Sequence, residues 1–365
     1  MKYSDEFRNP QIVRVLRDKI QQVVKDRKII LMEVCGTHTM AIARFGIRSL
    51  LPPGLRLISG PGCPVCVTST GYIDHAVALS RIPGIIITTF GDMIRVPGSD
   101  SSLELERGKG SNIVIVTSTL EALELAASNP EKKIIFLGVG FETTIPTIGV
   151  AIQTAKAKNL LNFFVLSAHK IMPPAMRALC QGDVYVDGFL CPGHVSTITG
   201  TGFYQEIVRD FRKGCVITGF EPTDILQGIL SLSRQIAEQN PHVENQYKRS
   251  VRPEGNRHAQ AIIADVFDTC HAEWRGLGMI PESGLTINSR YALWDAAVQI
   301  PVRLRPVKDP AGCRCGDVLT GRIGPRACPL FGRVCTPESP VGACMVSSEG
   351  SCAAEFLYGA SSFQS

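Results

Sequence analysis

Apolar positions in this chain recur as short runs, each closed by a polar, glycine-bearing loop and then followed by apolar residues at helical spacing. Runs over 28–34, 55–58, 85–89, 112–117, 133–138, 162–166, 186–190 and 215–218 predict buried strands. Between them, helices are predicted over 69–80, 119–127 and 223–238. A leading amphipathic helix is expected over 11–27, with Ile12, Val13, Leu16, Ile20, Val23 and Val24 on one side. Strand, loop, helix in alternation means parallel sheets covered by helices. Two consecutive α/β units are expected, over 28–128 and 131–240, with domains at 1–130, 131–240 and 241–365. Asn240-Pro241-His242 reads as a boundary, 256–270 as a helix and 276–289 as irregular.

From Pro301 the pattern changes. Pro, Gly, Arg and Cys dominate and hydrophobic periodicity fades, so this tail lacks the means to fold by apolar burial of its own. It needs a metal or cross-links. Six of the 13 cysteines fall in the last 53 residues, where even spreading would put about two. Seven basic residues against two acids lie between Arg303 and Cys335, a local excess equal to the whole chain's +5. Few aromatics accompany them, which argues against a nucleic-acid stacking surface. The polar N-terminal stretch has no apolar signal core, and no apolar run reaches membrane-spanning length. A soluble cytoplasmic protein is expected, and there thirteen cysteines point to metal or redox chemistry.

In open α/β sheets, sites form at the carboxyl ends of strands. Cys35, the pair Cys63 and Cys66, Asp92, Glu142, His169 and His194 all fall at predicted strand ends. Cys35 lies at a strand-to-helix turn, where convergent N–H groups and the helix dipole are expected to lower a thiol pKa. His38 follows about one helical turn later on the same face. Thiolate and imidazole together bind metals or do nucleophilic chemistry; alone, Cys35 would read as a small buried hydrophobe. Cys63-Pro64-Val65-Cys66 is a Cys-x-x-Cys pair, suited to a reversible disulfide or to half of a zinc site. Cys328, Cys335, Cys344 and Cys352 supply the four thiolates a [4Fe–4S] cluster requires, with structural zinc the alternative. Cys313 and Cys315 remain as a close pair, either a dithiol exchanging electrons with that centre or a source of substitute ligands.

Taken together, Met32-Glu-Val-Cys35-Gly-Thr-His38-Thr, Gly60-Pro-Gly-Cys63-Pro-Val-Cys66, Gly91-Asp92-Met-Ile-Arg-Val-Pro-Gly, Gly140-Phe-Glu142-Thr-Thr, Cys191-Pro-Gly-His194-Val-Ser and the Cys313–Cys352 tail resemble the HypD family of hydrogenase maturation proteins. The final Cys352-Ala-Ala-Glu-Phe-Leu departs from that family's aromatic-rich ending. The resemblance implies an assembly scaffold that holds one iron while two cyanides and one carbon monoxide are attached. It implies a small HypC-type chaperone, a HypE-type cyanide donor and, downstream, a hydrogenase large-subunit precursor as partners. Cys35 would bind the iron with His38 beside it, Cys63 and Cys66 would be the redox pair, and Cys328, Cys335, Cys344 and Cys352 the cluster ligands. Glu349 would be a functional acid, and Asp92 belongs to the same active set. The alternative from another class is a thiol/disulfide oxidoreductase with an iron–sulfur centre, which leaves the Cys35–His38 turn without a role. A zinc-stabilised interaction protein is a third reading.

Overall fold

A computed structural model describes residues 6–359. Among them the strands are β1 Ile29–Glu33, β2 Leu55–Ser59, β3 Ile85–Thr89, β4 Ile113–Ile115, β5 Lys133–Gly138, β6 Phe163–Ser167, β7 His169–Lys170, β8 Gly188–Pro192, β9 Gly214–Thr218, β10 Val243–Asn245, β11 Phe267–Trp274 and β12 Gly278–Ile287. Two sheets are wholly parallel. One has five strands in the order β10-β9-β8-β1-β2, the other four in the order β4-β3-β5-β6. Their central strands are buried on both faces, which is why these read as largely apolar runs. In the first sheet Met32, Phe189, Cys191 and Ile217 face one core while Leu31, Leu190 and Val216 face another.

The fold is α/β with a cysteine-rich C-terminal region, as expected, but the two sheets are not consecutive along the chain. β1 pairs with β8, which puts β1 and β2 in one sheet with β8 and β9, while β3 to β6 form the second sheet between them. The boundary expected near residue 130 therefore falls inside the four-stranded sheet, between β4 and β5. Every βα unit is locally complete, and nothing within one unit says which sheet it joins. Nor is 240–242 an end: β10 follows directly and extends the first sheet beside β9.

Downstream, the expected helix over 256–270 stops at Val266, and the stretch expected to be irregular is a strand. β11 and β12 form an antiparallel hairpin that also pairs with β7. Gly276 and Gly278 have φ of 77° and 80°, the left-handed backbone this tight turn demands. The register shifts between Cys270 and Ala272, opposite Pro281, Glu282 and Ser283, so the irregular composition there marks a bulge.

The tail has little regular structure, yet Val318, Leu319, Met345 and Ala353 are buried in the same core as β8 and β9. Its last helix, Ser351–Tyr358, packs on the helix Gly36–Arg44, and the turn Ala343–Met345 packs on the helix Pro64–Val67. No described helix is long and apolar enough to cross a membrane.

Because β1 has β8 as its other neighbour, a fragment ending at residue 130 should fail to fold. Circular dichroism is expected to show little helix and no cooperative melt, whereas the full chain melts cooperatively.

Candidate metal and thiol centre

The helices leading from β1 and from β8 pack into cores on opposite faces of the five-stranded sheet. The crevice at the carboxyl ends of β1 and β8 is thus a topological switch point, where open α/β sheets bind their ligands. Cys35 lies there, buried, as the N-cap of the helix Gly36–Arg44. Its loop is locked to the next one. Gly36 N–H donates to the Gly62 carbonyl at 2.9 Å, and Gly60 N–H to the Glu33 carbonyl at 2.7 Å. A Cβ on Gly62 would lie 2.1 Å from the Cys35 nitrogen, so only glycine lets the two backbones approach this closely.

Cys63 and Cys66 form a disulfide, buried against the same loop. A Cβ on Gly36 would meet the Cβ of Cys63 at 3.2 Å and that of Glu349 at 2.7 Å. Thr37 Oγ1 donates to Glu349 Oε1 at 2.6 Å. Cys35, the disulfide and Glu349 therefore meet around one backbone turn, although Glu349 is more than 300 residues away in sequence.

The backbone N–H groups of His38 and Thr37 point at the Cys35 sulfur and favour thiolate. Burial outweighs them and, helped by the nearby Glu349 and Glu33 charges, pushes the thiol up to about 12. The expected lowering of this pKa is therefore corrected: desolvation exceeds the stabilisation offered by a helix start. Metal binding has to displace the proton.

His38 serves the sulfur through its backbone while its ring turns to the end of β9. Nε2 lies 2.9 Å from the Gly219 carbonyl and 3.0 Å from Thr218 Oγ1. A carbonyl only accepts, so Nε2 carries the proton and the buried Nδ1 is left as an unpartnered lone pair. Burial pushes His38 down to about 4, keeping the imidazole neutral. Phe220 packs 4.7 Å from the His38 ring and stacks 4.0 Å from His194.

In the tail, all six cysteines, Cys313, Cys315, Cys328, Cys335, Cys344 and Cys352, line one cavity with apolar walls that include Leu330 and Phe331. Cys315 Sγ and Cys344 Sγ are 2.7 Å apart, so Cys315 is not separate from the four later cysteines. Hydrogen bonds from Cys313 and Cys344 push the Cys315 thiol down, and those two are pushed up in return. Among the described residues no group of three or more His, Cys, Asp or Glu is arranged to hold a metal ion. Six sulfurs around one small apolar cavity form a soft-donor set, the ligand type that suits zinc or iron–sulfur centres. A Cβ on Gly350 would sit 2.2 Å from the Cys344 carbonyl oxygen and 3.0 Å from Cys66 Sγ. The disulfide thus lies between the Cys35 turn and the cysteine cavity.

A family model described as "HypD: Hydrogenase formation hypA family" matches residues 11–359. The chain belongs to the HypD family. It is 46% identical to the hydrogenase maturation factor HypD2 of Bradyrhizobium diazoefficiens, covering 98% of this chain and 97% of that protein. It is 44% identical to the hydrogenase maturation factor HypD of Escherichia coli, covering 98% of each. It is also 44% identical to the hydrogenase expression/formation protein HupD of Azotobacter chroococcum, over 98% of this chain and 97% of that one.

Other residues singled out at strand ends lie elsewhere. Asp92 follows β3, at the switch point of the four-stranded sheet, not of the sheet that carries Cys35. In the same motif Arg95, which had drawn no notice, donates to the carbonyls of Pro337 and Val346 and ties the tail down. His169 is buried in the β5–β6 region, its Nδ1 bonded to Ser167 Oγ at 2.9 Å. Two more residues escaped sequence reasoning. Glu33 is fully buried and accepts from Cys35 N–H at 3.1 Å and from Thr39 Oγ1 at 2.5 Å. Arg275 is a buried cation beside Cys315, Cys344 and Cys313, donating to the carbonyls of Thr68 and Pro97. Glu33 was legible in principle, as a charge in an otherwise apolar strand; Arg275 carried no sequence signal.

Glu142 accepts from Met172 N–H at 2.8 Å through one oxygen and leaves the other buried without a partner. Burial raises its pKa from 4.5 to about 7. Between those values the unfolded chain has released the proton and the folded one retains it, so this group removes stability as pH rises through that window. The cost is on the order of 3 kcal/mol above pH 7. Glu142→Gln should therefore reduce the fall in unfolding free energy between pH 5 and pH 8, measured by denaturant titration. It will not abolish the fall, because Glu33 is raised to about 7 as well.

Proposed function

We propose that the protein is a hydrogenase maturation factor that acts as the scaffold on which the iron of a [NiFe]-hydrogenase acquires two cyanides and one carbon monoxide. The observation that carries this reading is the continuous placement of Cys35, the Cys63–Cys66 disulfide and the six-cysteine cavity, joined through the turns at Gly36 and Gly350. Full-length similarity to proteins named as hydrogenase maturation factors supports it.

In this reading the iron is cargo. Cys35 sulfur is its anchor, since thiolate suits the soft, low-valent iron that binds cyanide and carbon monoxide. Its proton leaves as the metal binds, and Glu349, bonded to Thr37 at the same turn, is placed to accept it. A small HypC-type partner supplies a further ligand, a HypE-type partner delivers cyanide, and a hydrogenase large-subunit precursor receives the product. Cys328, Cys335, Cys344 and Cys352 would hold a [4Fe–4S] cluster, which supplies one-electron transfer when bound. Cys313 and Cys315 are the adjoining dithiol. Reducing the Cys63–Cys66 disulfide takes up two electrons and two protons, so this pair can store two reducing equivalents next to Cys35. Burial of both sulfurs speaks against the rival reading as an oxidoreductase for protein disulfides, because a substrate thiol has no open approach.

Cys35→Ser replaces a soft sulfur with a hard, protonated oxygen of similar size. Purified anaerobically with its small partner, this variant should keep the brown absorbance of the tail centre but lose the non-cluster iron and its cyanide and carbon monoxide infrared bands. Bands at wild-type intensity would remove Cys35 as the anchor. Cys63→Ser should block maturation while the tail centre's iron content and absorbance stay unchanged; hydrogenase activity equal to wild type would end the electron-storage role.

A further inference from the structure

The basic stretch that begins at Pro301 plays no part in the centre described above. Residues 301–310 belong to no helix or strand, and eight of the ten are exposed. Among the described residues, no main-chain N–H or C=O of residues 301–307 is hydrogen-bonded. The chain is pinned only at its far end, where Lys308 N–H donates to Ser99 Oγ at 2.8 Å and Asp309 accepts from Thr70 Oγ1 at 2.8 Å. Pro301, Pro306 and Pro310 fix their own φ and keep the residues before them out of helical backbone, so the stretch is held ready in extended form. Val302-Arg303-Leu304-Arg305 alternates apolar and basic residues with the period of a strand. Leu304 and Val307 are 46% and 47% exposed. A plain spacer needs neither the alternation nor the exposed apolar side chains.

Arg303, Arg305 and Lys308 form no ion pair or side-chain hydrogen bond among the described residues. The acids nearby are otherwise engaged. Asp74 accepts from Ser99 N–H at 2.7 Å and from Ser99 Oγ at 2.6 Å, and Asp309 is held by Thr70. Asp100, in the same open cleft as Arg303 and Arg305, acts on Arg81, which is paired with Glu106. What the stretch offers is thus free donor groups, on its main chain and on three cations, and not a net charge. Unused main-chain groups on an extended chain are matched by a second strand, and free guanidinium and ammonium donors by carboxylates upon it.

We propose that residues 302–308 are a docking strand for an acidic, extended segment of another protein. That segment pairs with the main chain of 302–305 and sets its carboxylates against Arg303, Arg305 and Lys308. The stretch ends five residues before Cys313, so the docked chain lies at the entry to the cysteine tail.

The test is a fluorescence-anisotropy titration of the full-length protein, at low ionic strength, with the labelled peptide Glu-Val-Asp-Val-Glu-Thr. Three competitors are compared with it: the peptide with Gln and Asn for its acids, the peptide N-methylated at alternate main-chain amides, and a thymidine oligonucleotide. The acidic peptide should bind saturably, and the neutral and N-methylated forms at least tenfold more weakly. Arg303→Gln combined with Arg305→Gln should weaken binding about tenfold, the loss of two exposed charge-assisted contacts. Leu304→Pro removes a main-chain donor but keeps every cation, and it should bind as weakly as that double variant or more so. Arg252→Gln, in a separate cleft, should bind as wild type. Absence of saturable binding, or binding unchanged in the double variant, would overturn the proposal. So would an N-methylated peptide that binds like its parent, which leaves charge attraction alone, or an oligonucleotide that binds more tightly than the peptide.

Discussion

The backbone contact between Gly36 and Gly62 is the constraint on which the candidate centre depends. The 2.9 Å hydrogen bond from Gly36 N–H to the Gly62 carbonyl brings the ends of β1 and β2 together. With no Cβ at either residue, Cys35, the Cys63–Cys66 pair and Glu349 converge within van der Waals reach of one turn. A methyl group at Gly62 would displace the Cys35 backbone itself. The same economy recurs at Gly350, where absent side-chain bulk lets Cys66 approach the chain beside Cys344. Close backbone packing, more than any side-chain bond, connects the parts.

Burial then sets the chemistry of that turn. Helix-start N–H groups and desolvation act in opposite directions on Cys35, and desolvation prevails. The same balance keeps His38 neutral and raises Glu33. The protonated Cys35 thiol in a dry crevice has a proton to release when a cation arrives. Such a site suits metal capture better than nucleophilic attack, for which a standing thiolate is needed.

The tail solves a different problem. Its own sequence lacks a core, and it borrows one: Val318, Leu319, Met345 and Ala353 enter the core of the five-stranded sheet, while Arg95 and Arg275 fasten neighbouring loops. The six cysteines are thereby gathered on a scaffold that belongs to the rest of the chain. A metal centre there would lock an arrangement that packing has already drawn together.

Local pattern was enough to read eight of the nine strands of the two parallel sheets; β10 read as a boundary instead. Apolar runs flanked by glycine-bearing loops describe β3 and β5 to the residue, because a strand buried on two faces is dominated by apolar side chains. Cysteine spacing and the motifs around Cys35, Cys63 and Cys66 likewise singled out the candidate centre. Three things were not local and so were not legible. The exchange of strands between sheets depends on which βα units meet in space. The hairpin after Val266 depends on pairing with β7, a hundred residues earlier. The proton affinity of Cys35 depends on how much protein covers it, and Glu349 and Glu33, which add to it, come from opposite ends of the chain. Sequence by itself determined the elements and the reactive residue types; tertiary structure decided their neighbours, because burial and long-range contact are properties of the assembled fold and not of any single segment.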